Sequence, residues 1–350
     1  MTGSAPHRQR GKPSRLPSPK FLPLACPTYP SSSLASCLGR LLILAFLAWH
    51  ASASAAINRS AQSIVLETSD GVSMTMAFYP GPEEPAATVM LVHDIGGSEA
   101  SVRVLAAGLQ NAGCAVAVPD LRGHGGSTGG RRKLSVERLR PADLRMIAAS
   151  GGGVIRQQAA VSGDLETVYR WLKEQEEAGE VNLDRFCVIG SGLGGTLASL
   201  WVAADWSWQP NTRGPQGQNV KALVLISPEW MDKGISLSAA LSARAMIDRR
   251  PTQPVLEKLP ILIIAGKNDS SADRIFQRLK GARPLSWYKQ SANGAKSQAE
   301  TSDDRPVETG SLVYAQIDST LRADKLADLR AGNRTPLALA SWFIKESSSR

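Results

Sequence analysis

Phe186 to Thr196 reads FCVIGSGLGGT and runs on into LASLWVAA, and this stretch constrains the 350-residue chain more than any other. Four apolar residues of strand character end in glycines at 190, 192, 194 and 195, and an apolar segment with helical character follows. The pattern predicts a buried strand, a tight turn and a helix packed closely behind it, because glycines clustered at a strand end mark a close backbone approach.

The flanking sequence repeats this alternation. Ser63 to Glu67 and Val72 to Tyr79 alternate apolar and polar around Ser69-Asp70-Gly71, which predicts a hairpin. Ala87 to Val92 and Gly113 to Pro119 are continuous apolar runs of the kind buried on both faces. They end in HDIGGS and DLRGHGGS, with a helix from Glu99 to Asn111, capped by Ser98, between them. Asp164 to Ala178 places Leu165, Val168, Tyr169 and Leu172 on one helix face. Strands are expected at Lys221 to Ile226, Ile261 to Ala265 and Ser311 to Ile317, and an amphipathic helix at Thr335 to Lys345. Residues 291–309 are polar and read as a loose loop. Strands alternating with helices predict one α/β domain with a mostly parallel sheet and helices on both faces.

The first 56 residues form a separate unit. They hold Arg8, Arg10, Lys12, Arg15, Lys20 and Arg40 and no acidic residue, then the apolar run 41–49 and the small residues ASASAA. Basic, apolar and small residues in that order predict a secretory signal, cleaved after Ala53 or Ala55. The apolar run is about ten residues, against about 20 for a spanning helix, so no stable membrane span is expected after cleavage. The leader also carries much of the charge. Removing its six basic residues from 40 leaves 34 against 31 acidic, so the basic balance is no argument for a nucleic-acid partner. Cys26 and Cys37 leave with it; Cys114 and Cys187 start two buried strands that flank a third, beyond disulfide reach.

LVHDIGGS, PDLRGHGGS, VIGSGLGG and AGKND follow one another in an order that resembles the α/β-hydrolase fold superfamily, over roughly Gln62 to Glu346. The resemblance implies a nucleophile elbow at VIGSGLGG, with small residues two positions before and after the nucleophile. Centring it on Ser191 would put Ile189 and Leu193 in the small positions. Centring it on Gly192 puts Gly190 and Gly194 there, so the nucleophile's place holds a residue without a side chain. A cap-like insertion is expected at about 229–257.

The resemblance further implies Asp269 as the triad acid, although Asp269 or Ser270 would equally serve to cap the next helix. The imidazole is missing. The histidines are His7, His50, His93 and His124, none beyond the acid, and the loop after the last strand, Asp318-Ser319-Thr320-Leu321-Arg322, offers none. Backbone N–H groups of Ile95 and Leu193 remain to form the oxyanion hole. His93 and His124 match residues that hold the surrounding loops. Asp94 replaces the usual glycine, and its carboxylate would disfavour a second anion. Trp201, Trp206, Trp208 and Trp230 cluster in sequence; they either line an aromatic pocket with His93 and Asp94 or serve as packing. No cofactor or metal is expected.

Three readings follow: an exported pseudohydrolase that binds a small molecule or a protein, an active ester hydrolase with another nucleophile or base, and a structural envelope protein.

Overall fold

In the computed structural model the described residues are 60–150, 162–208, 212, 217–247, 250–284, 286–291, 296–298, 312–332 and 334–348. The leader, its cleavage site and the glycines at 151–153 lie outside them. The chain divides into Met1–Ala55 and Ala56–Arg350, and the second unit is described here.

Among the described residues ten strands form the main path of one sheet. They are β1 (Gln62–Glu67), β2 (Val72–Tyr79), β3 (Ala87–Val92), β4 (Cys114–Pro119), β5 (Phe186–Ser191), β6 (Ala222–Ile226), β7 (Ile261–Ala265), β8 (Trp287–Gln290), β9 (Lys296–Gln298) and β10 (Leu312–Gln316). Their spatial order is β1-β2-β4-β3-β5-β6-β7-β10-β8-β9, with Gly129–Gly130 adding a short pairing to β2. The hairpin β1–β2 is antiparallel and β2 meets β4 antiparallel; from β4 to β8 the sheet is parallel.

The fully apolar strands β3 and β4 are buried along their whole length because helices cover both sheet faces. Side-chain alternation sends Met90, Val188, Leu223 and Ile263 into one core and Val89, Ile189, Val224 and Ile264 into the other. The first core lies under helices α2 (Asp164–Glu177), α3 (Gly192–Trp206) and α4 (Ser270–Ala282); the second lies under α1 (Glu99–Asn111), α5 (Ala323–Ala327) and α6 (Pro336–Ser348). Among the described residues no helix is long and apolar enough to cross a membrane.

One local expectation needs correction. Residues 291–309 are not all loop, since Lys296–Gln298 pairs with β8 through Tyr288 opposite Gln298 and extends the sheet edge. Alternation over three polar residues is too short a signal to stand out in sequence. Helix α1 starts at Ser98 as expected, in a capping box with Ser101, whose Oγ accepts the Ser98 N–H at 3.1 Å. Residues 134–149 hold a short turn of helix at Val136–Arg138 and a helix at Pro141–Ile147, whose first position suits its proline. Cys114 and Cys187 sit on β4 and β5 with β3 between them, both buried and neither in a disulfide with the other.

Parallel strands in register finish at one edge, where such sheets place their sites. Val92 lies opposite Gly190 and Gly190 opposite Leu225, so the loops after β3, β5 and β6 leave side by side. The 231–254 segment that follows β6 forms two small hairpins and a short helix, Ser238–Ser242, in the place expected for a cap-like insertion.

Candidate functional site

At the end of β5 the chain turns directly into α3. Ser191 has ordinary extended angles (φ −112°), and the left-handed residue is Gly192 (φ +54°). The flanking glycines are needed for contact: a β-carbon on Gly190 would stand 2.5 Å from Gly195 Cα, and one on Gly194 would strike the His93 carbonyl. Helix and strand therefore pass at backbone distance, with Gly192 at the apex.

Asp94 is the unexpected occupant of this corner. Its Oδ1 accepts the N–H of Leu193 at 2.8 Å and its own neighbour's, Ile95, at 2.8 Å. These are the two N–H groups that the resemblance assigns to the oxyanion hole. Leu193 N–H is also one of the unpaired donors at the start of α3, where the helix dipole favours an anion. The carboxyl group further fills the space beside Gly192, because a β-carbon there would come within 2.7 Å of Asp94 Oδ2 and closer still to Cγ and Oδ1.

The loop carrying Asp94 is held from three sides. His93 donates through Nδ1 to the Asp94 carbonyl (2.7 Å) and accepts Leu121 N–H at Nε2 (3.0 Å). His124 accepts Gly96 N–H at Nε2 (2.9 Å) and donates through Nδ1 to the Arg122 carbonyl (3.0 Å). With both ring nitrogens engaged and both rings buried, these histidines are held neutral, and burial lowers the pKa of each. They are loop fasteners in this structure. From the third side, Asp324 Oδ1 accepts Asp94 N–H (2.9 Å) and its Oδ2 accepts the Ser101 hydroxyl (2.6 Å).

Burial is the largest influence on Asp94 and pushes its carboxyl up; the Leu193 N–H pulls the other way, the Asp324 charge raises it, the Ile95 N–H lowers it and the Glu229 charge raises it. The net pKa is about 6.

Asp269 lies at the end of β7, 1% exposed, where its Oδ1 accepts Ala272 N–H at 3.1 Å and caps α4. Among the described residues its Oδ2 has no partner. Arg322, in the loop after β10, brings Nη1 to 3.9 Å from Asp269 Oδ1 and donates through Nη2 to the Asn268 carbonyl at 2.7 Å. A guanidinium, which cannot act as a base, thus stands by the acid where an imidazole would be needed. Ser191 Oγ is fully buried with no partner among the described residues.

The tryptophans do not converge. Trp201 is fully buried beside Tyr169 and Phe186. Trp206 donates to the Val220 carbonyl at 3.1 Å, fourteen residues along α3 from Gly192 or about 21 Å at 1.5 Å per residue. Trp208 lies beyond the helix end, and Trp230, at the elbow side, is covered by Arg274, 4.2 Å from its ring centre. Of the aromatic candidates only Trp230 stays near the elbow, two residues past Pro228 in the loop whose Glu229 N–H donates to the Gly192 carbonyl (3.3 Å).

Sequence reasoning singled out the DLRGHGGS motif but not what its arginine does. Arg122, with no exposed side chain, donates to Asp164 Oδ1 through Nε (2.9 Å) and Nη2 (2.7 Å) and to Asp70 through Nη1 (2.8 Å). It ties the hairpin turn, the start of α2 and the loop that bears His124 together. The partners lie 52 and 42 residues away, so only a fully polar motif inside apolar surroundings could have hinted at it. Among the described residues no group of His, Cys, Asp and Glu is arranged to hold a metal.

The sequence profile of the alpha/beta hydrolase fold family matches residues 87–254. Among solved structures, an esterase of Pyrococcus furiosus in one crystal form is 12% identical with a TM-score of 0.51, covering 83% of this chain and 92% of that one. In a second crystal form it is 14% identical with a TM-score of 0.50, covering 82% and 92%. No curated protein matches the chain. Identities this low carry the fold and nothing of the activity.

Proposed function

We propose that this chain, a member of the α/β-hydrolase fold superfamily, is an exported pseudohydrolase that uses the frame to bind a small molecule or a protein. The observation that carries the reading is the position of Asp94: one of its own carboxylate oxygens takes both N–H groups of the oxyanion hole. Acyl transfer requires those donors to be free for the charge that develops on the substrate oxygen, and losing a single donor typically costs about 10² to 10³ in rate. Here both are engaged before any substrate arrives, by a group whose negative charge opposes a second anion.

Two further features support it. The apex of the elbow has no side chain to attack a carbonyl, and the acid at the end of β7 faces Arg322 in place of a base. Any one change could be compensated by another nucleophile or base; the three together remove the nucleophile, the proton acceptor and the transition-state donors of one mechanism. Export rests on the leader alone, through its basic, apolar and small-residue order.

The competing reading is an active ester hydrolase with another nucleophile or base. The two separate in one experiment on the mature protein: labelling with a fluorophosphonate serine probe alongside hydrolysis of a panel of aryl esters. The expected result is no labelling and no rate above that of a heat-denatured sample. Stoichiometric labelling, or turnover lost on labelling, would overturn the proposal.

A further inference from the structure

The groove between α2 and the C-terminal end of α3 encloses a cavity of about 350 Å³, within the range of small-ligand sites. Glu166, Tyr169, Arg170 and Lys173 line it from α2, with Asp205 from the last turn of α3 and Trp208, Gly217 and Asn219 from the chain beyond. Asp205 is thirteen residues from Gly192 along α3, about 20 Å at 1.5 Å per residue, so this cavity is separate from the elbow.

Its floor is acidic and its rim basic. Glu166 and Asp205 are 6% and 4% exposed, whereas Arg170 and Lys173 reach solvent. Glu166 accepts Trp201 Nε1–H at 3.1 Å and has Arg170 Nε at 3.4 Å; Asp205 accepts Asn219 N–H at 2.9 Å, the Asn219 side-chain amide at 2.6 Å and Val220 N–H at 3.4 Å. These bonds do not offset burial. Desolvation is the largest influence on both carboxyls and leaves each raised, Glu166 to about 7.

Two polar groups of the lining are available to a ligand. Tyr169 is 8% exposed and lines the cavity, yet among the described residues its hydroxyl has no hydrogen-bond partner. The Lys173 ammonium likewise has no ion-pair partner there. A cavity-facing hydroxyl that makes no hydrogen bond within the protein is open to one from a ligand.

We propose that this groove is a binding site for a small zwitterion of the amino-acid class. Its ammonium group lies against the Glu166 and Asp205 carboxylates, its carboxylate meets Lys173 at the rim, and the Tyr169 hydroxyl bonds between them, with Trp208 as the apolar wall. A neutral sugar would satisfy the tyrosine and the indole but make no use of the charge on floor or rim. A simple anion would be repelled by the floor, and a simple cation by the rim.

The site is independent of the elbow, and its test reads a different signal from esterase activity. Trp201 and Trp208 adjoin the cavity, so intrinsic fluorescence of the mature protein is titrated with L-alanine, L-lysine and L-glutamate, and with acetate, ethylamine and glucose as comparison probes. At least one amino acid is expected to saturate below about 10 mM, with each single-charge probe and glucose at least tenfold weaker. Tyr169→Phe, nearly isosteric, and Lys173→Ala, on an exposed helix surface, should each weaken that binding about five- to tenfold while circular dichroism stays unchanged. The proposal fails if no amino acid saturates, if glucose or a single-charge probe binds as well, or if both variants bind like the parent protein.

Discussion

The carboxyl group of Asp94 occupies the space that a β-carbon on Gly192 would need. Two departures from the hydrolase pattern, 98 positions apart in the chain, are therefore one structural event. A side chain at 192 and the present position of the Asp94 carboxylate exclude each other. The residue without a side chain leaves room for the Asp94 carboxylate, which the N–H groups of Leu193 and Ile95 hold in place.

This exclusion makes a double-mutant cycle informative. Gly192→Ala must accept φ near +54° and also push Asp94 out of its hydrogen bonds. Backbone strain of about 1–3 kcal/mol and the loss of the Asp94 bonds should outweigh the roughly 0.4–1 kcal/mol gained from restricting the unfolded chain. In an Asp94→Gly background only the strain remains, so the Gly192→Ala cost should fall by at least about 1 kcal/mol. Ser191→Ala is the control: it deletes a buried hydroxyl with no partner among the described residues and should be neutral or stabilising by up to about 1 kcal/mol. Urea unfolding reads all of these, and a strictly additive cycle would show that the two positions do not compete.

Restoring hydrolysis should require more than a serine. Gly192→Ser alone should give no esterase activity, since there is no imidazole and the Asp94 carboxylate still takes the Leu193 and Ile95 N–H groups. Asp94→Gly with Gly192→Ser frees the two N–H donors, and adding Arg322→His places an imidazole in the loop that already reaches Asp269. The triple variant should exceed the double by about 10² to 10⁴-fold, the usual worth of a positioned base. Aryl-ester assays decide it; a substantial rate in the single Gly192→Ser variant would mean that a base has been overlooked.

Asp94 should also leave a signature in the pH dependence of stability. Its folded pKa of about 6 lies above the unfolded value near 3.8. Between those values the folded state binds more protons, so this group's contribution to stability falls as pH rises from about 4 through 6 and stays low above. The size is of order 2 kcal/mol once its partial exposure is allowed for. Asp94→Asn keeps an oxygen for Leu193 and Ile95 but cannot ionise. The difference curve between variant and parent isolates Asp94 from the other raised acids, Glu166 and Asp205. The variant should be more stable at pH 7.5 and nearly equal at pH 4; parallel curves would contradict an ionised, desolvated carboxylate in the hole.

Export predicts a processed N-terminus. The mature chain should begin between Ser54 and Ile57, after the small residues at 51, 53 and 55. N-terminal sequencing of protein recovered from the envelope or medium checks it, and a soluble cytoplasmic protein starting at Met1 would rule it out.

Much of the frame was legible without coordinates, for physical reasons. Apolar runs of five or six residues such as 87–92 and 222–226 can only be strands buried on both faces, and period-3.6 stripes such as Leu165, Val168 and Leu172 can only cover them. Glycine spacing around residue 192 pointed to a turn at backbone contact, because only glycine can stand there. The chain's four histidines already excluded an imidazole after the acid. What sequence could not decide was where side chains meet. That Asp94 should bend back to take the N–H groups of Ile95 and Leu193 depends on β3 and β5 lying in register. That Asp324 should hold Asp94, Arg322 approach Asp269 and Arg122 join Asp164 to Asp70 depends on loops separated by dozens to hundreds of residues arriving at common points. The same holds for Tyr169 and Asp205, which share a cavity only because α2 and the end of α3 pack side by side. Local pattern sets which segments become strand and helix, through burial and backbone geometry. The pairing of polar groups across segments is set by the assembled sheet, and this chain keeps there both its blocked elbow and its open groove.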